Sequence, residues 1–358
     1  MTIPAQAPAP VPPGEPPAPG GPVPPGGGSA AAALEPRLAA HRRELTGYCY
    51  RMLGSAFDAE DAVQETMLRA WRGADGFEGR SSLRSWLFRI ATNVCLTMIE
   101  ARGRRARPMD LSAAAWEPVE ASLAARRSED TWLEPMVDTR VLPEGGDPAD
   151  VAVARESIRL AFVAALQHLP PRQRAVLVLR DVLRWRAEEV AGLLETSTAS
   201  VNSALQRARA TMASRPGVGP DAPGAPGAAR AADLDAEHRA LLERYVHAFE
   251  SYDMDAFVAL LAEDVTQNMP PFEMWLAGPR DVVRWMTGPG RGCRGSTLVR
   301  VDLNGSPAFA QYKPGPDGAL VPFAFQALEL RGGRIAHITS FLDTRLFAHF
   351  GVPAAPPR

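Results

Sequence analysis

The chain has 358 residues, 39 Lys plus Arg against 41 Asp plus Glu, and a hydrophobic fraction of 46%, which predicts several globular domains because one compact core rarely grows to this size. It contains no apolar run long enough to span a bilayer, no recognisable secretory signal, and three scattered cysteines that make neither a disulfide framework nor a zinc site. We expect a soluble cytoplasmic protein without a metal or cofactor.

Two segments have the composition of disordered chain. Residues 1–33 contain eleven prolines and few large apolar side chains, so they cannot bury enough surface to offset chain entropy. Residues 215–232 repeat this composition. The sequence therefore predicts a tail at 1–34, a hinge at 215–235 between folding units, and a short tail at 351–358.

Charge divides the rest of the chain into the first helical module (35–107), the linker (108–154), the second helical module (155–214) and the C-terminal domain (236–350). Residues 37–107 hold 13 arginines against 8 acidic residues, residues 155–215 hold 10 against 5, and the linker holds 3 against 10. Basic modules attract polyanions. Nucleic-acid binding and a merely solvated arginine surface both fit this charge.

Hydrophobic spacing in the first helical module predicts three helices. The second opens at Asp58, a residue type favoured at the N-cap, and the third begins near Ser82 and runs into a group of arginines. The apolar face of the first helix consists of Leu38, His41, Leu45, Tyr48 and Met52.

The linker is rich in proline and carries two isolated aromatic residues, Trp116 and Trp132. We expect a long connection with one short helix. The tryptophans either anchor a partner or pack on the neighbouring modules, and the sequence leaves both roles open.

The second helical module contains a helix-turn-helix pattern. An apolar face ends at Pro170-Pro171, and another helix follows it. Residues 187–194 and 198–212 then predict two short helices, separated by Glu195-Thr196-Ser197. A plain helical hairpin is the alternative.

The C-terminal domain begins with helical patterns and continues with strands. One helix carries an apolar face that ends at Phe249, and a second includes Phe257, Leu260 and Leu261. Gly332-Gly333 predicts a tight hairpin between the last two strands. The predicted strands are 297–303, 307–313, 320–330 and 334–342. This order of elements predicts an α+β fold.

Three stretches, in this order, resemble bacterial RNA polymerase sigma factors of the extracytoplasmic-function (ECF) type. They are DAEDAVQETMLRAW at 58–71, FEGRSSLRSWLFRIATNVCL at 77–96 and EEVAGLLETSTASVNSALQRAR at 188–209. The resemblance implies that the two helical modules are sigma regions 2 and 4, which bind core RNA polymerase and promoter DNA to direct promoter recognition, DNA opening and transcription initiation. It also implies that the acidic linker threads the polymerase cleft. The alternative is that the linker is a solvated tether, which its negative charge fits equally well.

The resemblance also implies site residues in the first helical module. The second helix would dock on a coiled coil of the largest polymerase subunit through Asp61, Gln64, Glu65 and Leu68. The third helix would contact the −10 element, with Trp86 beside the melted step and Asn93 lining a pocket for an extruded base. Capping by the carboxylates and core packing of Trp86 are the alternatives. The arginines that would hold phosphates are Arg84, Arg89, Arg102, Arg104 and Arg105.

In the second helical module, the helix after the turn would read the −35 element in the major groove. Glu195 stands where the family usually has Gly, and a left-handed backbone costs more at Glu, which leaves open a remodelled turn and an unusual promoter. The implied contacts to bases or nearby phosphates are Thr198, Ser200, Asn202, Ser203 and Gln206, and those to the backbone are Arg207 and Arg209.

Residues 236–350 resemble the SnoaL-like branch of the nuclear-transport-factor-like fold, a conical barrel of curved sheet and helices around a pocket. The likeness rests on FVALLAEDV at 257–265 and HITSFLDTRLF at 337–347. Some members are enzymes; the ionisable candidates here are Asp264, His247, His337 and Asp343, and each also fits a structural role. Fusion to a sigma factor implies regulation instead of enzymatic activity. Three means of regulation remain open. The domain could contact the helical modules, it could bind a small ligand, or a separate anti-sigma protein could act on the chain.

Two other functions fit the same sequence. A one-component repressor or activator would bind an operator unaided, with the C-terminal domain as a ligand sensor; it leaves the acidic second helix without a role beyond packing. A pocket enzyme with added DNA-binding modules would turn over a small ketone or epoxide through Asp264 or Asp343.

Overall fold

The computed structural model describes residues 35–74, 77, 82–145, 147–214 and 231–357, and for residues 231–235 it describes the backbone only. The predicted tail at 1–34 and residues 215–230 of the predicted hinge lie outside the described residues. Two all-α modules, a linker and an α+β domain follow one another, which confirms the predicted fold class. Within the described ranges, no helix is both long and apolar enough to cross a membrane.

The first helical module contains a short helical segment at 35–39, followed by α1 (Arg42–Leu53), α2 (Ala56–Arg72) and α3 (Leu83–Arg102). The N-cap of α2 is Ser55, whose Oγ accepts a hydrogen bond from the backbone N–H of Asp58 at 3.0 Å. The predicted cap at Asp58 is therefore wrong, and Asp58 is buried in the first turn. The predicted start of α3 is confirmed, since Ser82 caps it.

The linker is not an extended tether in this structure. It contains α4 (Pro108–Leu111) and short 3-10 turns, and it leads into α5 (Pro148–Glu156). Trp132 is 2% exposed, and Trp116 packs against the core of the C-terminal domain. Of the two roles left open for these tryptophans, the structure therefore shows packing within the chain.

The second helical module contains the predicted helix-turn-helix. Its helices are α6 (Leu160–Leu166), α7 (Pro171–Leu177), α8 (Ala187–Leu193) and α9 (Thr198–Ala213). Val190, Val201 and Leu205 are buried where α8 and α9 cross. Glu195 has a φ of 52°, so the turn keeps the left-handed backbone without glycine and is not remodelled.

The C-terminal domain places helices around one six-stranded sheet of order β2-β1-β6-β5-β4-β3. β1 runs parallel to β6, and all other neighbours are antiparallel. The elements are α10 (Ala231–Ser251), α11 (Met254–Ala259), β1 (Leu261–Asn268), β2 (Trp275–Ala277), α12 (Pro279–Thr287), β3 (Thr297–Leu303), β4 (Ser306–Pro314), β5 (Leu320–Arg331), β6 (Arg334–Phe341) and α13 (Arg345–Phe350).

The four predicted strands are present as β3 to β6, and Gly332 and Gly333 form the predicted hairpin with φ values of 57° and 70°. β1 and β2 were not predicted. Leu261 is the first residue of β1. The sequence placed it in a helix because Leu260 and Leu261 continue the apolar spacing of the preceding helix.

One hydrophobic core joins the two helical modules. Phe88 of α3 and Trp185, which precedes α8, are both buried within it. The sheet of the C-terminal domain separates two further cores, and the one on the side of α13 also takes in Val137 of the linker and Leu160 of the second helical module. All parts of the described chain therefore pack together.

Candidate polymerase and promoter interfaces

An exposed stripe runs along α2. Asp61, Gln64, Leu68 and Trp71 recur every three or four residues and therefore share one face of the helix, and all four are exposed. Leu68 and Trp71 are 48% and 56% exposed, and two large apolar groups one turn apart form a patch that a partner can cover. Trp71 was not among the predicted polymerase contacts, although its spacing from Leu68 places it on the same face.

Glu65, the remaining predicted polymerase contact, lies beside this stripe. Its Oε1 accepts a hydrogen bond from Arg69 Nε one turn later at 2.7 Å. The pair is exposed, so it stabilises the helix by only about 0.2–0.5 kcal/mol. The surface of α2 thus combines acidic groups with an apolar patch, which suits a partner helix with basic and apolar side chains.

Trp86 and Asn93 lie two turns apart on α3. Asn93 is exposed, whereas Trp86 is half-buried with its ring centre 4.9 Å from that of Phe77. The exposed Arg89 lies between them, and its Nη2 donates a hydrogen bond to the carbonyl oxygen of Gly192 in α8 at 3.3 Å. The predicted −10 surface is therefore in contact with the second helical module.

Arg84 makes its contacts inside the chain. Its Nε lies 3.0 Å from each carboxylate oxygen of Glu44, and its guanidinium carbon lies 4.6 Å from the ring centre of Trp185. A partly desolvated cation–π contact of this kind contributes about 0.5–2 kcal/mol. Arg84 must leave these partners before it can hold a phosphate.

Arg105 is a buried structural residue. It is 7% exposed, its Nη2 donates to Asp58 Oδ2 at 2.8 Å, and its Nη1 donates to the carbonyl oxygen of Trp132 at 2.7 Å. Burial lowers its pKa, and nearby carboxylates, Glu134 first among them, oppose that change. The expectation that Arg105 contacts phosphate does not agree with this position, since its guanidinium joins α2 to the linker.

Arg102 and Arg104 remain exposed at the end of α3. Arg102 pairs with the carboxylate of Asp58. Arg104 Nη1 lies 2.8 Å from Nδ1 of His168 in the second helical module. Both guanidinium groups are at the surface, where a phosphate could replace these partners.

The predicted −35 residues lie on α9. Ser197 caps this helix by accepting a hydrogen bond from the Ser200 N–H at 3.2 Å, and Arg209 donates to both carboxylate oxygens of Asp181 at 2.7 and 2.9 Å. Thr198 is partly buried. The other candidates are exposed: Ser200, Asn202, Ser203, Gln206, Arg207 and Arg209. The first half of α9 thus presents hydrogen-bonding side chains to solvent, as groove reading requires.

The turn between β3 and β4 contacts both helical modules and the linker. Asn304 and Gly305 have φ values of 55° and 65°, as a type I′ turn requires. Asn304 is fully buried. Its Nδ2 donates to Tyr50 Oη and to the Ile158 carbonyl oxygen, each at 2.6 Å, and its Oδ1 accepts from the Met136 N–H at 2.9 Å. One side chain therefore links α1, the second helical module and the linker.

Gly305 fits closely into the same junction. Its N–H donates to Asp138 Oδ1 at 2.8 Å, and a Cβ at this position would lie 2.7 Å from the Arg155 carbonyl oxygen. Burial raises the pKa of Asp138 from 3.8 to about 6, and the hydrogen bond from Gly305 opposes that change. Neither Asn304 nor Asp138 was among the predicted functional residues, although Asn-Gly between two strand patterns is a hairpin signal.

The four ionisable candidates of the C-terminal domain do not form one site. Asp264 and Asp343 form separate ion pairs with arginines. His337 is buried on β6, where Thr266 Oγ1 lies 2.6 Å from its Nδ1, and burial lowers its pKa. His247 lies on α10, where it is exposed. In the part of the chain that the structure describes, no three such side chains are grouped to hold a metal ion.

Known families match all three folded units. The Sigma-70 region 2 family matches residues 38–105, the Sigma-70 region 4 family matches residues 159–212, and the SnoaL-like domain family matches residues 242–338. The order of these matches is that of the two helical modules and the C-terminal domain.

Curated relatives match across most of the chain. The chain is 46% identical to the ECF RNA polymerase sigma factor SigG of Mycobacterium tuberculosis, over 91% of this chain and 84% of that protein. It is 29% identical to SigJ of the same organism, over 82% and 86%. The crystal structure of SigJ superposes with a TM-score of 0.55 at 24% identity, covering 89% of this chain and 99% of that one, which shows a shared fold.

Proposed function

Because this chain belongs to the extracytoplasmic-function family of RNA polymerase sigma factors, we propose that its C-terminal domain holds the two helical modules in a closed arrangement that opens before a promoter is read. As a sigma factor the chain binds core RNA polymerase and promoter DNA and directs promoter recognition. The observation that carries the proposal is the buried side chain of Asn304, which is hydrogen-bonded to both modules and to the linker.

In the closed arrangement the two helical modules lie too close together to contact both promoter elements at once. Elements centred at −10 and −35 lie ~85 Å apart along a straight duplex that rises ~3.4 Å per base pair. In the closed arrangement Phe88 and Trp185 are in ring contact across the modules, and Arg89 bonds to Gly192 of α8. Modules in contact cannot reach both elements, so promoter binding requires them to separate.

The strength of the Asn304 contacts suits a reversible restraint. A typical hydrogen bond contributes about 0.5–1.5 kcal/mol net, so the three side-chain bonds of Asn304 together favour the closed state by ~2–4 kcal/mol. This contribution adds to that of the core which the two modules share, and a partner that binds only the open state must outweigh both.

The exposed face of α2 is the proposed polymerase contact, formed by Asp61, Gln64, Glu65 and Leu68 together with Trp71. Its test is co-purification of core polymerase with the chain, which the double change Asp61→Arg and Glu65→Arg should abolish. The matched control is a charge reversal at Glu237 and Asp255, two exposed acidic residues of the C-terminal domain. A one-component regulator would bind its operator equally well with and without polymerase.

The proposed DNA contacts lie on α3, just after its end, and on α9. Trp86, Asn93, Arg84, Arg89, Arg102 and Arg104 serve the −10 element, and Thr198, Ser200, Asn202, Ser203, Gln206, Arg207 and Arg209 serve the −35 element. Changing Gln206 to Ala should relax base preference, whereas changing Arg207 to Ala should weaken all sequences uniformly and flatten the salt dependence. Run-off assays on promoters with single −35 substitutions separate these two outcomes.

The proposal is tested by run-off transcription with purified core polymerase on a genomic promoter library. Asn304→Gly keeps the positive φ of the turn but removes the side chain, so we expect several-fold more initiation than from the unchanged chain. Gly332→Asn is the matched control, because it places Asn-Gly in the β5–β6 turn, where a Cβ meets nothing within 4 Å. Unchanged or reduced initiation by Asn304→Gly, with polymerase affinity intact, would show that the contact does not restrain the modules.

A further inference from the structure

The C-terminal domain contains a cavity of about 340 Å³ beside the sheet. Its lining is mainly apolar and includes four aromatic side chains of the helices, Tyr245, Phe249, Phe257 and Trp285. Concave, largely apolar cavities of this size with a few polar groups are the usual form of small-molecule sites.

A hydrogen-bonded row of side chains crosses one side of this cavity. Tyr245 Oη donates to Gln326 Oε1 at 2.7 Å, Gln326 Nε2 donates to Gln311 Oε1 at 2.7 Å, and Gln311 Nε2 donates to Ser296 Oγ at 3.0 Å. The row fixes the orientation of both amides. These donors are therefore satisfied by the protein itself.

Gln267 also lines the cavity, and its side chain is not fully satisfied. It is 6% exposed, and its Oε1 has no hydrogen-bond partner. A buried acceptor without a donor costs the folded protein stability. A ligand hydroxyl group would satisfy this amide in either of its orientations, because a hydroxyl both donates and accepts.

The cavity lacks the groups that catalysis would need. No Asp, Glu or His is among the residues that line it, and burial raises the pKa of the Cys293 thiol and of the Tyr245 hydroxyl. Lys313 is the one charged residue of the lining, and its ammonium lies over the ring of Phe323 at 4.0 Å. With no carboxylate or imidazole in the lining and with the Cys293 and Tyr245 pKa values raised, the lining suits binding of an uncharged molecule better than its turnover.

The linker supplies part of the cavity wall. Leu123 lines the cavity, and hydrogen bonds to the C-terminal domain lie on both sides of it along the chain. The Trp116 N–H donates to the Trp275 carbonyl oxygen at 2.8 Å, and the Glu273 N–H donates to the Ala125 carbonyl oxygen at 2.9 Å. A molecule in the cavity thus contacts the linker and the C-terminal domain together.

We propose that this cavity is a binding site for an uncharged, largely apolar ring compound with one hydroxyl group, and that Leu123 of the linker is part of the site. The hydroxyl group bonds to Gln267, and the rings pack on the aromatic lining. Because the coupling between ligand and linker is reciprocal, an occupied cavity holds the linker on the C-terminal domain more firmly. Only the consequence for transcription rests on the proposed function; binding does not.

The test is titration of the full chain with 2-naphthol, with naphthalene and 2-naphthoate as competitors. We expect 2-naphthol to bind with a dissociation constant on the order of 0.1 mM and about tenfold more tightly than naphthalene, since a net hydrogen bond is worth about that factor. Gln267→Leu should remove the preference for 2-naphthol. Leu123→Ala should weaken both compounds about fivefold, whereas Val119→Ala, at an exposed linker position outside the cavity, should have no effect.

A second measurement needs no variant. Lys313 is the single lysine of the chain, so peptide mapping after treatment with an amine-reactive reagent reports on the cavity directly. Bound 2-naphthol should slow modification of Lys313 several-fold. The proposal is overturned if 2-naphthol fails to bind at ~1 mM, if 2-naphthoate binds more tightly, or if Lys313 is modified at the same rate with and without the probe.

Discussion

The ring of Trp185 lies 5.1 Å from the ring of Phe88, and this contact joins the second helical module to α3 of the first. Trp185 is 2% exposed, and the guanidinium carbon of Arg84 lies 4.6 Å from the centre of its ring. The DNA-reading face of α3 and the core between the modules therefore depend on the same aromatic side chain.

Trp185→Ala should separate the modules. Removing a buried Trp costs about 3–5 kcal/mol in the free energy of unfolding, and urea titration followed by circular dichroism measures it. Trp71→Ala is the control, because Trp71 is 56% exposed and its loss should change the free energy of unfolding by less than about 0.5 kcal/mol. Equal losses in the two variants would contradict the shared core.

Trp71→Ala should instead weaken binding to core polymerase. A large exposed aromatic residue at the centre of an interface typically contributes about 2 kcal/mol or more, so we expect affinity to fall by about thirtyfold or more. Competition with a labelled sigma factor measures this loss. Val321→Ala, at an exposed apolar position in the C-terminal domain, should leave affinity unchanged, and a similar loss in both variants would count against the α2 surface.

Asp138→Asn should change how stability depends on pH. The pKa of Asp138 rises from 3.8 to about 6 on folding, so between about pH 4 and 6 the folded chain holds a proton that the unfolded chain releases. The stability from this group is full below about pH 4 and is lost as the pH rises through about 6. The amide in the variant would still offer an oxygen to the Gly305 N–H. Because an amide does not titrate, the variant should not lose stability as the pH rises through about 6.

Urea titration at several pH values tests this behaviour. The free energy of unfolding of Asp138→Asn, minus that of the unchanged chain, should increase steadily from about pH 4 to 7. Asp317→Asn, in the exposed β4–β5 turn, serves as the control and should give a flat difference. A flat difference for Asp138→Asn as well would mean that Asp138 is solvated.

Glu195→Gly should stabilise the helix-turn-helix. The backbone at Glu195 has a φ of 52°, which costs a residue with a side chain about 1–2 kcal/mol, while Gly pays about 0.5–1 kcal/mol in entropy. We expect a net gain of about 0.5–1 kcal/mol in thermal or urea unfolding. Glu188→Gly, inside α8, should lose about 1 kcal/mol, so the same substitution seven positions apart should have opposite signs.

Periodicity within a segment predicted most of the elements. The spacing of Val190, Val201 and Leu205 predicted the crossing of α8 and α9, and alternation predicted β3 to β6. β1 was missed because Leu260 and Leu261 fit the helix before it as well as the strand they begin. Local hydrophobic spacing cannot distinguish the end of a helix from the start of a strand when no Gly or Pro separates them.

Partners that come from distant parts of the chain could not be predicted. Motif position placed Arg84 and Arg105 among the phosphate contacts, but Trp185 and Asp58 reach them only through tertiary packing. The exposure of the residues on α2 and α9 agrees with expectation, because helical spacing alone separates their polar faces from the core. Their roles at polymerase and DNA remain predictions.

The β3–β4 turn fills a socket built by three separate stretches of chain, so its two-residue length is fixed from outside the hairpin. Surface loops usually tolerate insertions between related proteins. One added residue here would lift Asn304 away from Tyr50 and Ile158, and the added backbone would collide with Arg155. Among homologues with an appended domain of this kind, an insertion in this turn should therefore mark the proteins in which the domain does not hold the sigma regions.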